Sequence, residues 1–131
     1  MVGSAFFLNA GAPIAGDPCG NSDAVFGFLR NGWHRATDGT VTYFQVNGLW
    51  TAARGVNDEG SIAGFVRNPD GSSTGFVVKL DGSQCQAITV APGDLLEISG
   101  FDLFPQGITN SGVIVGGAND ANSHGFIARP D

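Results

Sequence analysis

The stretch GVNDEGSIAGFVRNPDGSSTGFVVKL, Gly55 to Leu80, decides the fold because its skeleton occurs twice more in the chain. Along the chain, the first copy is FLNAGAPIAGDPCGNSDAVFGFLR, Phe7 to Arg30, the stretch just quoted is the second, and the third is GITNSGVIVGGANDANSHGFIARP, Gly107 to Pro130. In each copy a turn leads into an Ile-x-Gly string, and a Gly-Phe pair closes the segment. The predicted structural positions of the repeat are Gly16, Gly64, Gly116, Phe28, Phe76 and Phe126.

The spacing of the copies defines the repeat unit. Gly16 and Gly64 lie 48 residues apart, and Gly64 and Gly116 lie 52 residues apart. A period of this length indicates one supersecondary unit that is used several times. We therefore interpret residues 1–131 as a single repeat domain with units at about 5–46, 47–90 and 91–131.

The composition indicates an all-β fold. The chain has 21 Gly and ten Phe in 131 residues, and many tight turns between short strands need glycine because it adopts positive φ without steric cost. No window of a dozen residues combines a helical period with the absence of Gly and Pro, so no substantial helix is predicted.

Turn strings divide the second unit into four predicted strands. The turns are NDEG, NPDGSS and DGS, and Asp-Gly is the strongest short-range hairpin signal. The strands run from Leu49 to Val56, from Ser61 to Arg67, from Thr74 to Leu80 and from Gln84 to Val90. Each unit is therefore expected to be a four-stranded antiparallel meander.

The other two units are expected to vary this plan. In the first unit the string RNGWHRATDG, Arg30 to Gly39, is interpreted as a long connection before a fourth strand at Thr42 to Val46. In the third unit the chain stops after the strand Gly125 to Arg129, which leaves the unit one strand short.

The repeated strings also resemble a known family. Strings of the form G-[IV]-N-x-x-G-x-I-x-G followed by an H-G-F close are similar to the HAF repeat, and Ser123 to Phe126 comes nearest to the usual close. Thr109 stands where the pattern has Asn, and the first copy departs further. The resemblance implies propeller-like blades and an extracellular or cell-surface location, and it implies no activity. A β-trefoil is the alternative fold, because it shares the three-fold repetition.

Fewer than four blades do not close a propeller ring, since propellers typically have about four to eight. Unpaired sheet edges invite pairing with another chain. We therefore expect self-association through sheet edges, as a homo-oligomer or fibre. The strand Gly125 to Arg129 or the N-terminal strand near Phe6 to Asn9 is expected to make this contact.

The repeat phase also bears on the two cysteines. Cys19 lies near the first hairpin turn of its unit, whereas Cys85 lies just past a turn at the opposite end of the strands. In a regular meander their Cα atoms would be farther apart than the ~7 Å limit for a disulfide. The pattern therefore favours free thiols or links to another chain over the single disulfide that is usual in a secreted chain.

Charge and motifs exclude several function classes. The chain carries six Lys and Arg against twelve Asp and Glu, a net charge of −6, so no nucleic-acid partner is expected. No run approaches the ~20 apolar residues of a membrane helix. The two histidines, His34 and His124, lie two repeats apart, and no catalytic motif, cofactor motif or metal site is recognised. No enzyme is predicted.

The longest departure from repeat regularity is rich in aromatic residues. It runs through RNGWHRATDGTVTYFQVNGLW, and its aromatic and charged side chains could stack on sugar faces or anchor a partner. The candidate ligand-binding residues are Trp33, His34, Arg35 and Trp50. The leading functional hypothesis is a noncatalytic extracellular structural or assembly module. The alternative is a ligand-binding module for carbohydrate.

Overall fold

The structure is a computed structural model that describes residues 2–5, 14–20, 31–88, 102–119 and 123–130. These residues form eleven β-strands and no helix. The strands are β1 (Val2–Ala5), β2 (Ile14–Gly16), β3 (Asn31–Arg35), β4 (Val41–Phe44), β5 (Trp50–Val56), β6 (Ile62–Arg67), β7 (Ser73–Val78), β8 (Cys85–Ala87), β9 (Asp102–Ile108), β10 (Ile114–Asn119) and β11 (Ser123–Ala128). The predicted all-β class is confirmed.

The strands form three separate sheets. The first sheet has the order β1-β3-β4-β2, the central sheet β5-β6-β7-β8, and the third sheet β11-β10-β9. The central and third sheets are antiparallel meanders, as the turn strings predict. The described strands close no barrel, which argues against the trefoil alternative.

The hairpins share one turn design. In the turns that start at Asn57, Asn68 and Thr109, the carbonyl of the first residue accepts a bond from the amide of a glycine three residues on. Gly60, Gly71 and Gly112 have φ of 83°, 89° and 89°, a region that side chains disfavour. These turns therefore account for part of the high glycine content of the chain.

The first unit does not follow the predicted meander. β1 pairs with β3, and β2 pairs in parallel with β4, so the sheet is mixed. The string predicted to be a connection contains β3, which forms a hairpin with β4. β2 has three residues because Gly16 has a φ of 82° and Pro18, two residues on, has no amide hydrogen to extend a ladder.

The central sheet is covered on both faces. Ile62, Val66 and Phe76 pack with Phe44 of the first sheet in one apolar cluster. Ala63 and Val77 point to the opposite face of the central sheet and pack with Ile114 of the third sheet in a second apolar cluster. Successive strand residues point to opposite faces, so β6 is buried along its length from Ile62 to Val66. The three sheets therefore stack face to face.

Candidate functional site

A β-bulge recurs at the same place in the central and third sheets. The β5 to β6 pairing skips Arg54, and the β9 to β10 pairing skips Gln106, 52 residues later. Next to each bulge, a Cβ on Gly64 would collide with the Ala52 carbonyl oxygen, and a Cβ on Gly116 would collide with the Phe104 carbonyl oxygen. The two glycines are thus equivalent, and each is required by the neighbouring strand of its own sheet.

Gly16 does not share this environment. It has a positive φ and no atom within 4 Å of the position that a Cβ would take. The predicted equivalence of the three glycines is therefore wrong at the first unit, because β2 pairs with β4 and not with the strand that precedes it. Among the closing phenylalanines, Phe76 is buried and Phe126 is partly buried. Phe28 lies outside the described residues.

The turns of successive repeats bond to one another. The Asn57 side-chain amide donates to the Thr109 carbonyl at 3.0 Å. The Asp58 backbone amide donates to Asn110 Oδ1 at 2.8 Å, and Asn110 Nδ2 donates to Asp58 Oδ2 at 2.8 Å. Each of these pairs joins residues that are 52 positions apart. The turns of the central and third sheets are therefore joined by hydrogen bonds between residues at matching repeat positions.

Asn57 explains why the repeat pattern places Asn at this position. Its Oδ1 accepts bonds from the amides of Glu59 and Ser61, which closes its own turn. Its Nδ2 is then directed to the next repeat. Thr109, which stands at the Asn position of the third unit, closes its own turn by accepting from the Val113 amide. A threonine side chain has no amide group, so Thr109 cannot donate the kind of bond that the Asn57 side chain makes to the next repeat.

The predicted ligand residues do not converge. Trp33 lies over Gly3 of the neighbouring strand, where a Cβ would come within 2.5 Å of its ring. His34 points to the opposite face because strand residues alternate, and burial lowers its pKa below the usual value. Arg35 shares the face of Trp33 and is exposed. The grouping of these three residues with Trp50 in one site is therefore wrong.

Trp50 belongs to a separate aromatic group on the central sheet. Its ring stacks on Phe65 with centroids 5.8 Å apart, and the Arg67 guanidinium lies 5.2 Å from the Trp50 centroid. Phe104 of the third sheet meets Phe65 edge to face at 4.9 Å, and Arg54 lies 5.5 Å from the Phe65 centroid. This aromatic group connects the central and third sheets near Trp50, at the start of β5.

A cleft of about 580 Å³ lies between the central and third sheets. Its lining includes Ser61, Gln84, Gln86, Ile88, Ile114 and Arg129. The Ser61 hydroxyl donates to the Gln84 side-chain oxygen at 2.9 Å, and the Gln84 amide donates to Gln86 at 3.2 Å. Among the described lining residues none carries a carboxylate or an imidazole. The cleft holds amide groups over an apolar floor and no pair of groups suited to acid-base chemistry.

The two cysteines form a disulfide. Cys19 and Cys85 are bonded with Cα atoms 5.4 Å apart, so the prediction of free or intermolecular thiols is wrong. The parallel pairing of β2 with β4 carries the turn after β2 toward β8. Asp17 holds that turn in place, because its carboxylate accepts bonds from the Cys19 and Gly48 amides at 2.8 Å each. The disulfide links the first sheet to the central sheet.

Neither a candidate metal site nor a membrane-spanning helix occurs in the described residues. They contain no group of three His, Cys, Asp or Glu side chains placed to hold a metal ion. They also contain no helix of the length and apolar character that crossing a membrane requires.

Comparison with protein-family models, with curated proteins and with solved structures gives no match.

Proposed function

We propose that the protein is a noncatalytic extracellular assembly module whose three sheets are propeller-like blades of the HAF-repeat kind. The observation that carries the proposal is the set of hydrogen bonds between matching repeat positions, which join Asn57 to Thr109 and Asp58 to Asn110. Units that bond to the same positions of the next unit form an array by addition, as in repeat proteins whose units contact their neighbours.

Two further observations support an extracellular role in assembly. The Cys19 to Cys85 disulfide is the form that cysteines take in oxidising compartments. β11 lies at one end of the third sheet and has a neighbour on one side among the described strands. Such an edge presents unpaired amide and carbonyl groups to a second chain. We propose that copies associate through this edge.

Solution mass and hydrogen exchange test this function together. Sedimentation across a wide concentration range should give a species heavier than the 13.4 kDa chain. In a strand the amides alternate in direction, so every second amide of residues 123–128 faces away from β10. Those amides should gain protection from exchange as the complex forms. A 13.4 kDa species at every concentration contradicts the assembly role. Assembly without that protection contradicts the edge contact.

The alternative function is carbohydrate binding at Trp33. Trp33 and Arg35 share one face of β3 and so combine a stacking surface with hydrogen-bond donors. Titration of soluble oligosaccharides should quench the Trp33 fluorescence in a Trp50→Phe background. The matched Trp33→Phe variant, which keeps Trp50, should show no response. Equal responses in both variants, or none in either, would contradict a site at Trp33.

A further inference from the structure

The cleft between the central and third sheets contains a directed chain of hydrogen bonds. The Ser61 hydroxyl donates to Gln84 Oε1 at 2.9 Å, and Gln84 Nε2 donates to Gln86 Oε1 at 3.2 Å. The chain runs from buried Ser61 to exposed Gln86. Gln86 Nε2 makes no bond to a described residue. Because every bond has the same direction, the exposed end of the chain is a hydrogen-bond donor.

A positive charge lies on the other wall of the same cleft. Arg129 follows β11 and is the one charged residue among the described residues that line the cleft. Arg54 and Arg67 lie over aromatic rings, whereas Arg129 makes no hydrogen bond, ion pair or ring contact with a described residue. Its side chain is exposed. The guanidinium therefore keeps its five N–H donors for a ligand.

Apolar side chains form the floor between these two walls. Val77 and Ile88 come from the central sheet and its continuation, and Ile108 and Ile114 come from the third sheet. The volume of about 580 Å³ lies within the range of ~300–1,000 Å³ that is usual for small-molecule sites. Such sites combine apolar walls with a few polar groups that fix the orientation of the ligand.

We propose that this cleft binds a carboxylate that carries a short apolar chain. A guanidinium matches a carboxylate with two parallel N–H bonds, and Gln86 Nε2 supplies a further donor. The apolar chain of the ligand lies on the floor at Val77 and Ile114. None of the described lining residues has a carboxylate that would compete for Arg129.

The overall charge makes this recognition local. The chain carries a net charge of −6, and a field of that sign repels anions from most of the surface. A bound carboxylate therefore depends on the donors of the cleft and not on general attraction. The site is separate from the edge of β11 through which copies are proposed to associate.

Titration with isocaproate tests the site, and isocaproamide, its neutral counterpart of the same shape, is the control. Isocaproate should shift the Gln86 side-chain amide and Arg129 Nε–H resonances in heteronuclear NMR spectra and should saturate at millimolar concentration. Isocaproamide should leave these resonances in place. Equal shifts with the acid and the amide would show that the apolar chain alone is recognised and would overturn the proposal.

A peptide probe distinguishes two sources of the same chemistry. N-acetylglycyl-leucine carries the same isobutyl group beside the carboxylate of a peptide C-terminus. Tighter binding of isocaproate would support a small acid as the ligand, and tighter binding of the peptide would support a chain terminus. The absence of saturable shifts with both acids would overturn the proposal.

Replacement of Arg129 tests the positive charge. Arg129→Gln removes it, whereas the control Lys79→Gln removes the same charge at the corresponding position of the central sheet, which does not line the cleft. The affinity for isocaproate should fall about tenfold or more with Arg129→Gln, as expected for lost bonds to a charged group, and should change little with Lys79→Gln. Equal losses in the two variants would point to net charge and overturn the proposal.

Replacement of Gln86 tests the donor at the end of the chain. Gln86→Glu keeps an acceptor for Gln84 Nε2 but replaces the donor with a carboxylate. The control Thr37→Glu adds the same charge to an exposed turn of the β3 to β4 hairpin. Gln86→Glu should abolish isocaproate binding and Thr37→Glu should not, with both variants folded by circular dichroism. Unchanged binding in Gln86→Glu would overturn the proposal. None of these results depends on whether copies assemble, so the cleft is tested apart from the proposed assembly function.

Discussion

Asp58 and Asn110 occupy the same position in successive repeats and are joined by two hydrogen bonds of 2.8 Å each. One bond uses the Asp58 backbone amide and the other uses its carboxylate. The bonded pair connects turns whose own hydrogen bonds are the same, since Gly60 and Gly112 each bond back to the first residue of the turn. The turns that define the repeat therefore also hold the central and third sheets in register.

A double-mutant cycle measures this link. Asp58→Ala, Asn110→Ala and the double variant should give a coupling free energy of about 0.5–1.5 kcal/mol in urea unfolding, the net value of a typical hydrogen bond. The low end is expected because both residues are exposed. The cycle of Asp58→Ala with Asp70→Ala is the control, and it should be additive within about 0.5 kcal/mol. A coupling no larger than that control would show that the two turns are independent.

Gly64→Ala should be strongly destabilising. The added Cβ would collide with the Ala52 carbonyl oxygen and would lie 2.9 Å from the Phe76 ring. We expect a loss of about 2 kcal/mol or more in the free energy of unfolding. Gly125→Ala is the matched control in the third sheet, because its Cβ would meet the nearest atom at 3.8 Å. If the two variants lose equal stability, the close approach at Gly64 has no energetic consequence.

Removal of the disulfide should weaken the fold. The Cys19 to Cys85 bond closes a loop with a sequence separation of 66 residues, and the chain-entropy model assigns about 4 kcal/mol to a loop of that length. The Cys19→Ser, Cys85→Ser variant should therefore unfold at a lower urea concentration than the oxidised wild type. Reduced wild type should match the variant. Two reactive thiols in the unreduced native protein, counted by alkylation and mass spectrometry, would contradict the bond.

Turn aspartates should make stability fall in acid. Hydrogen bonds from the Ser72 side chain and amide lower the pKa of Asp70 below its usual value of 3.8, and Ser83 does the same for Asp81. A lowered folded-state pKa contributes stability that is present above the unfolded pKa and is lost as the pH falls through the folded pKa. Urea unfolding should show a decline below about pH 4.

The Asp70→Asn, Asp81→Asn variant keeps both side-chain acceptors without the titration. Its stability should decline less steeply below about pH 4 than that of the wild type. Carboxyl titration midpoints at or above 3.8, measured by NMR for Asp70 and Asp81, would contradict the prediction.

The second unit was predictable because its signals are local. The strings NDEG, NPDGSS and DGS place glycines at the positive-φ positions of three turns, and the strands between them fall within one or two residues of the expected limits at most ends. Gly64 and Gly116 were recognisable for a related reason. A β-bulge at a fixed distance along the chain imposes the same steric limit in both units.

The strand pairing of the first unit depended on the tertiary structure. Ile14–Gly16 follows the repeat pattern, yet β2 pairs with β4 and leaves β1 to pair with β3. Strand pairing between segments distant in sequence is decided by long-range packing, which a period of glycines and phenylalanines does not encode. That pairing brought Cys19 to Cys85. Turn chemistry and repetition thus define the all-β units, whereas the meeting of residues from different units depends on how the sheets pack.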